Sequence, residues 1–103
     1  MKIKFTQKES KIQTEILRYL NSLRDASFIK KDQGAYSKIG VGDLVGHVCG
    51  LYLEIETKRP TEQLKKIQEK RKTEILDSGG MYIRATNLLE IKKLVERIRL
   101  IMI

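Results

Sequence analysis

The sequence has too little cysteine for a covalent framework and too little acid to balance its base. Cys49 is the single cysteine, so no internal disulfide can form and a reducing cytoplasm is the expected compartment. No apolar run approaches the roughly 20 residues that a membrane span needs, and nothing at the N-terminus resembles a signal peptide. No membrane partner is therefore expected. Internal repeats, linkers and low-complexity tracts are lacking too, which leaves one domain over residues 1–103. A chain of this length with 41% apolar content can build one modest core and not two. Its 21 Lys+Arg stand against 13 Asp+Glu, a net charge of +8. A small domain this basic commonly meets a polyanion, with nucleic acid the first candidate. Lysine-rich helix faces that serve solubility alone are the alternative.

What is present reads as alternating helices and strands. Thr6-x-x-Glu9 is a capping-box pattern, and Ile12, Ile16, Tyr19, Leu20 and Leu23 follow at helical spacing. They predict a first helix from about Gln7 to Arg24, with Met1 to Phe5 as an irregular lead-in. Glu9 and Gln13 lie on the side of Ile16 and Leu20, so Glu9 points towards the buried face. A short strand is expected over Ser27 to Lys31. Asp32 to Gly42 then holds three glycines without periodicity and reads as a loop, carrying Tyr36 and Lys38 close to Asp43.

Pro60, the single proline, ends a strand and precedes a helix expected from about Glu62 to Leu76, with Thr61 as a candidate N-cap. Leu64, Ile67, Ile75 and Leu76 are its expected buried positions. Lys65, Lys66, Lys70, Arg71 and Lys72 spread over its other faces. Asp77-Ser-Gly-Gly80 stops it. Met81 to Ala85 reads as a strand, and Asn87-x-x-Glu90 as a second capping box. That box opens a helix striped by Leu88, Ile91, Leu94, Ile98 and Ile101. The order α-β-β-β-α-β-α implies an α/β fold of three layers, a mixed sheet between helices.

The centre of the chain carries the chemistry. Leu51 to Lys58 alternates, with Leu51, Leu53 and Ile55 on one face and Tyr52, Glu54, Glu56 and Lys58 on the other. The segment before it alternates as well, Leu44, Gly46 and Val48 against Asp43, Val45 and His47. If Cys49-Gly50 is a two-residue hairpin loop, Val48 pairs with Leu51 and Asp43 lies opposite Glu56. Directly opposed Cβ atoms are about 5 Å apart. Two carboxylates that close repel unless a cation lies between them, and magnesium or manganese suits hard oxygen donors. Lys58 emerges on the same face, where it can orient a water or neutralise charge on a phosphate. A metal-activated water beside a lysine, in a basic protein, points to phosphodiester hydrolysis.

G-V-G-D-L-V-G, then L-E-I-E-T-K-R-P, then a glutamine ten residues after the lysine resembles the VRR-NUC domain. That is a branch of the restriction-endonuclease-like PD-(D/E)xK nucleases, and E-S-K-I-Q-T-E-I-L-R-Y-L resembles its first helix. The likeness spans nearly the whole chain. It implies a restriction-endonuclease-like fold and a divalent-metal-dependent DNA endonuclease, selective for branched DNA such as Holliday junctions or flaps. It also implies a homodimer, with Mg2+ or Mn2+ and no small-molecule cofactor. Carried over by position, Asp43, Glu56 and the Thr57 backbone carbonyl are the metal set. Lys58, Gln68 and Glu9 complete the catalytic group. Tyr36, Lys38, Lys65 and Lys66 are the candidates for contact with nucleic acid. Gly42 stands where many members have proline, which removes no ligand.

Each assignment has a plainer counterpart. Glu54-Ile-Glu56 has the motif spacing without the lysine, so Glu56-Thr-Lys58 is the expected register and Glu54 a supporting or rim group. Glu9 can serve as a capping residue alone, and Gln68 as a surface amide. His47 and Cys49 have a zinc-compatible spacing, but no second pair exists to complete a site. The apolar end Leu100 to Ile103 is richer than one helix stripe requires, and fits a partner subunit. A non-catalytic basic nucleic-acid-binding module is the alternative to an enzyme.

Overall fold

A two-residue turn sets the architecture. Cys49 and Gly50 both take positive φ, +51° and +81°, the backbone a tight hairpin with two central residues needs. The turn joins β2 (Leu44–Val48) to β3 (Leu51–Thr57), with Val48 paired to Leu51 and Leu44 to Ile55. Asp25 secures it from outside, accepting the Cys49 N–H at 2.7 Å on its carbonyl. Its carboxylate is gripped by Arg99 at 2.8 and 3.0 Å.

The computed structural model describes residues 2–31 and 39–102, with backbone alone for 2–8. The remaining elements are α1 (Lys2–Asn21), β1 (Ala26–Lys30), α2 (Lys66–Asp77), β4 (Met81–Ala85) and α3 (Leu88–Met102). The sheet order is β1-β2-β3-β4, antiparallel except for the parallel β3–β4 pair. This is the expected α/β order with a mixed sheet.

Strand alternation divides the sheet into an oily and a charged face. Leu44, Val48, Leu53 and Ile55 pack with Phe28 and Ala85 against Ile16 and Leu20 of α1 and Ile91, Val95 and Ile98 of α3. Gly46 allows this layer to close. A Cβ there would lie 2.0 Å from the Ser27 carbonyl oxygen and 2.7 Å from the Phe28 ring, so β1 could not approach any other residue. Asn21, at the end of α1, bonds both the N–H and the C=O of Phe28, at 2.8 and 3.0 Å. That pins α1 to the edge strand and satisfies backbone groups an edge leaves open. On the opposite face α2 packs on β4, burying Ile75 and Tyr82.

Four local expectations change. The first helix starts at Lys2, so Thr6 lies within it and Lys2 to Phe5 is helix rather than an irregular lead-in, while Met1 lies outside the described residues. The second helix starts at Lys66 and not at Glu62. Arg84 draws in the carbonyls of Arg59, Pro60 and Glu62 at 3.2, 3.0 and 2.7 Å. The Glu62 carboxylate turns back to the Arg59 N–H at 3.1 Å, so this stretch is a tied loop and Thr61 caps nothing. Ile67 and Leu76 are exposed because α2 buries Ile75 alone among its residues. Ile101 is exposed where the α3 stripe runs past the sheet. The α3 start is as expected, with Asn87 accepting the Glu90 N–H at 3.0 Å. Glu90 reaches one residue further back than a capping box does, to the Thr86 N–H at 2.6 Å.

Candidate active site

Two cross-strand rows on the charged face form the site. The inner row is Ile29, Val45, Glu54 and Tyr82, taken from the pairings of the four strands. One step towards the strand ends, Glu56 pairs with Arg84. Asp43, just before the Leu44–Ile55 pair, stands opposite Glu56. The Lys31 N–H bonds the Asp43 carbonyl at 2.8 Å, extending the ladder by one rung. The outer row therefore reads Lys31, Asp43, Glu56, Arg84: two carboxylates bracketed by two cations.

Asp43 is held at its carboxylate. Its Oδ2 accepts the Thr57 N–H at 2.9 Å and the Thr57 hydroxyl at 2.7 Å. The Gln13 amide of α1 donates to that same hydroxyl oxygen at 3.0 Å, so the first helix reaches the aspartate through one threonine. Glu56 is 7% exposed. Its Oε2 accepts the Gln68 amide at 3.0 Å and lies 3.7 Å from the Lys58 ammonium, itself buried. Gln68 is fixed at its other end, where its oxygen takes the Lys65 N–H at 2.9 Å. One side chain thus caps α2 and aims an N–H at Glu56. Burial and the neighbouring Asp43 charge push the Glu56 carboxyl up to about 7, against the pull of Lys58, Lys31 and Gln68. Tyr82 closes the floor, donating to the Gly40 carbonyl at 3.0 Å. Its phenol is pushed above the ordinary range by burial and the charges of Glu56, Glu54 and Asp43.

Glu54 is not a rim group, because it is fully buried. Arg71 grips it through Nε and Nη2 at 3.2 and 2.5 Å, Tyr52 donates its hydroxyl at 2.6 Å, and the Gly42 N–H donates at 3.0 Å. Burial would raise its pKa, but Arg71, Tyr52 and Gly42 together hold it below the usual value. Arg71, half-buried, is thus turned in against Glu54 and not out with the lysines of α2.

Asp43, Glu56, Thr57, Lys58 and Gln68 come together. Glu9 does not join them: it is half-buried and its charge acts on Arg59, beside the stronger partner Glu62. Among the described residues no three His, Cys, Asp or Glu side chains gather where one ion could bind them all, so neither Glu9 nor a zinc site at His47 and Cys49 adds a carboxylate or thiolate to the pair. Lys65 and Lys66 are exposed at the start of α2, within one turn of Gln68. Tyr36 and Lys38 lie outside the described residues. Sequence reading missed Lys31, whose Nζ bonds the Val41 carbonyl at 3.2 Å, and the link through Gln13. For Gln13 the signal was its place on the buried side of α1. For Lys31 there was none, because it stands twelve positions before Asp43 in the sequence.

No family model matches the sequence, and no curated protein sequence matches it. Solved structures do. One described as a VRR_NUC domain superposes with a TM-score of 0.71 over 86% of this chain and 95% of its own, at 19% identity. A second, described as a VRR_NUC domain protein, gives 0.70 over 87% and 86%, at 15% identity. The fold is that of a VRR-NUC domain. Among the described residues no helix is long and apolar enough to cross a membrane.

Proposed function

We propose that this protein is a divalent-metal-dependent endonuclease that hydrolyses phosphodiester bonds in branched DNA, such as Holliday junctions or flaps. The observation that carries the reading is the Asp43–Glu56 pair, two carboxylates forced together by strand register, one of them driven up to about 7 by burial and by the other. Hard oxygen donors crowded at one point, one of them held back from ionising by burial and by the other, fit Mg2+ or Mn2+. Asp43, Glu56 and the backbone carbonyl of Thr57 would hold the ion. A strand residue turns its N–H and C=O to the same side, and the Thr57 N–H points at Asp43. When bound, the ion supplies Lewis-acid polarisation of the phosphate and a water acidic enough to ionise near neutral pH.

The chain's own groups do the rest. Thr57 fixes one oxygen of Asp43. Gln68 fixes one oxygen of Glu56 and keeps α2 against the site. Lys58, buried beside Glu56, offers its ammonium to charge that grows on the phosphate oxygens. Hydrolysis adds hydroxyl to phosphorus and returns the proton to the departing sugar oxygen. Lys65 and Lys66 contact the backbone at the mouth, a positioning role without sequence preference. Leu100, Ile101 and Met102, exposed at 76%, 77% and 46%, are the proposed dimer contact, which would set two centres on one junction. A mass measurement on a chain ending at Arg99 tests this, and an unchanged dimer excludes the tail.

The decisive experiment is cleavage of duplex, flap and four-way-junction DNA with Mg2+, Mn2+ or chelator, by wild type and Asp43→Asn. Ion-dependent cutting of branched substrates, absent from the variant, is the expected result. Salt-sensitive binding with no cutting under either ion would favour the non-catalytic binding module instead.

A further inference from the structure

We propose that Glu54, clamped by Arg71, is a positioning residue that sets Asp43 through the backbone N–H of Gly42. A buried ion pair adds little stability compared with apolar side chains of the same volume, so stability alone is a weak reason for a fully buried carboxylate here. Its bonds suggest a better one. Gly42 is the residue before Asp43, it is buried, and its N–H donates to Glu54 Oε1 at 3.0 Å. The backbone lies so close to β3 that an added Cβ at Gly42 would meet the Ile55 nitrogen at 2.9 Å, the Ile55 oxygen at 3.0 Å and the Glu54 Cβ at 3.1 Å. Glu54 therefore reaches the chain at the point where it turns into the aspartate.

Three anchors then converge on Asp43. The Lys31 N–H donates to its carbonyl, Thr57 donates to its carboxylate, and Glu54 accepts the N–H of Gly42, the residue before it. The third anchor is tied to α2, because Arg71 lies one turn after Gln68 on that helix. A single helix thus sets both carboxylates, Glu56 directly by Gln68 and Asp43 indirectly by Arg71, Glu54 and Gly42. Glu54 touches no reacting atom. Its role is to hold the distance between the two groups that do.

The kinetic consequence rests on the nuclease reading, whereas the positional claim does not. In Glu54→Gln one amide oxygen faces the donors of Gly42, Tyr52 and Arg71, and Arg71 loses its nearer counter-charge, keeping Glu74 at 3.9 Å. Amide exchange at Thr57 reports its bond to Asp43 and needs neither ion nor DNA. It is expected to quicken about tenfold, the size of one lost hydrogen bond to a charged group, while the β2–β3 ladder amides keep their protection. Mn2+ binding by calorimetry is expected to weaken by about the same factor, and kcat to fall with the KM for DNA unchanged. Tyr52→Phe, which spares the Gly42 bond, should leave Thr57 protected. A folded Glu54→Gln protein with Thr57 still protected overturns the inference, as does a Tyr52→Phe protein that loosens Thr57 equally. If Glu54→Gln does not fold, Glu54→Asp keeps the charge but shortens the reach and is read in the same way: selective loss at Thr57 supports the role, and none overturns it. Should wild type bind no Mn2+ and cut no DNA, the nuclease reading falls while Thr57 exchange still decides this one.

Discussion

Glu54 and Glu56 are the same residue, two positions apart on one strand and on one face, and both are almost out of reach of water. Glu54 has an arginine, a phenol and a backbone N–H around it and stays ionised below its usual pKa. Glu56 has an amide, a lysine at the long distance of 3.7 Å and another carboxylate opposite, and its pKa rises to about 7. One glutamate is satisfied by the protein. The other is held more loosely, and on the proposed reading it is the one that meets an ion. Burial of a carboxylate therefore does not mark a functional group; the balance of partners around it does.

The largest test of that contrast is catalytic. Glu56→Gln and Asp43→Asn should each lower the cleavage rate by about 10² to 10³ or more, as expected when charge stabilisation at the reacting centre is lost. Single-turnover kinetics on a branched substrate would show it. The structural side of the contrast predicts a different loss. Arg71→Met strands the Glu54 carboxylate, which should cost about 3–5 kcal/mol of stability, measured by urea unfolding. The same change at Lys65 should be close to neutral.

Next comes pH. A carboxyl whose folded pKa is raised favours folding only while protonated, so its contribution is full below 4.5 and is lost as pH climbs through about 7. In chelator the protein should lose on the order of 3 kcal/mol between pH 4.5 and pH 8 from this group, and Glu56→Gln should flatten that slope. A smaller effect is expected at Gln68→Ala, where one hydrogen bond to Glu56 and one to the α2 N-terminus disappear. About 1–2 kcal/mol should be lost, with a further rise in the Glu56 pKa readable by carboxyl NMR.

The hairpin was legible because alternation and a two-residue loop leave a single register, and register alone sets Asp43 against Glu56. The α3 start was legible because Asn87 and Glu90 act within a few residues. What escaped depends on distant partners. Nothing near Glu54 in sequence says that Arg71, seventeen positions on, will take it. The α2 start was misplaced because Arg84, from another strand, holds the preceding carbonyls in a loop. Ile67 and Leu76 fit a buried stripe, yet α2 is short, leans on an edge strand and buries only one of its apolar residues. Lys31 joined the site by a ladder bond to Asp43, twelve positions on in the sequence, which periodicity does not reach.

The most direct measurement is the melting temperature of wild type and Glu56→Gln at pH 8, each in Mn2+ and in chelator. Wild type should be stabilised by the ion, because binding relieves the repulsion between Asp43 and Glu56 and favours the folded state, while Glu56→Gln should melt at nearly the same temperature with or without it. Equal stabilisation of both proteins would contradict the account, since the ion would then be held without Glu56.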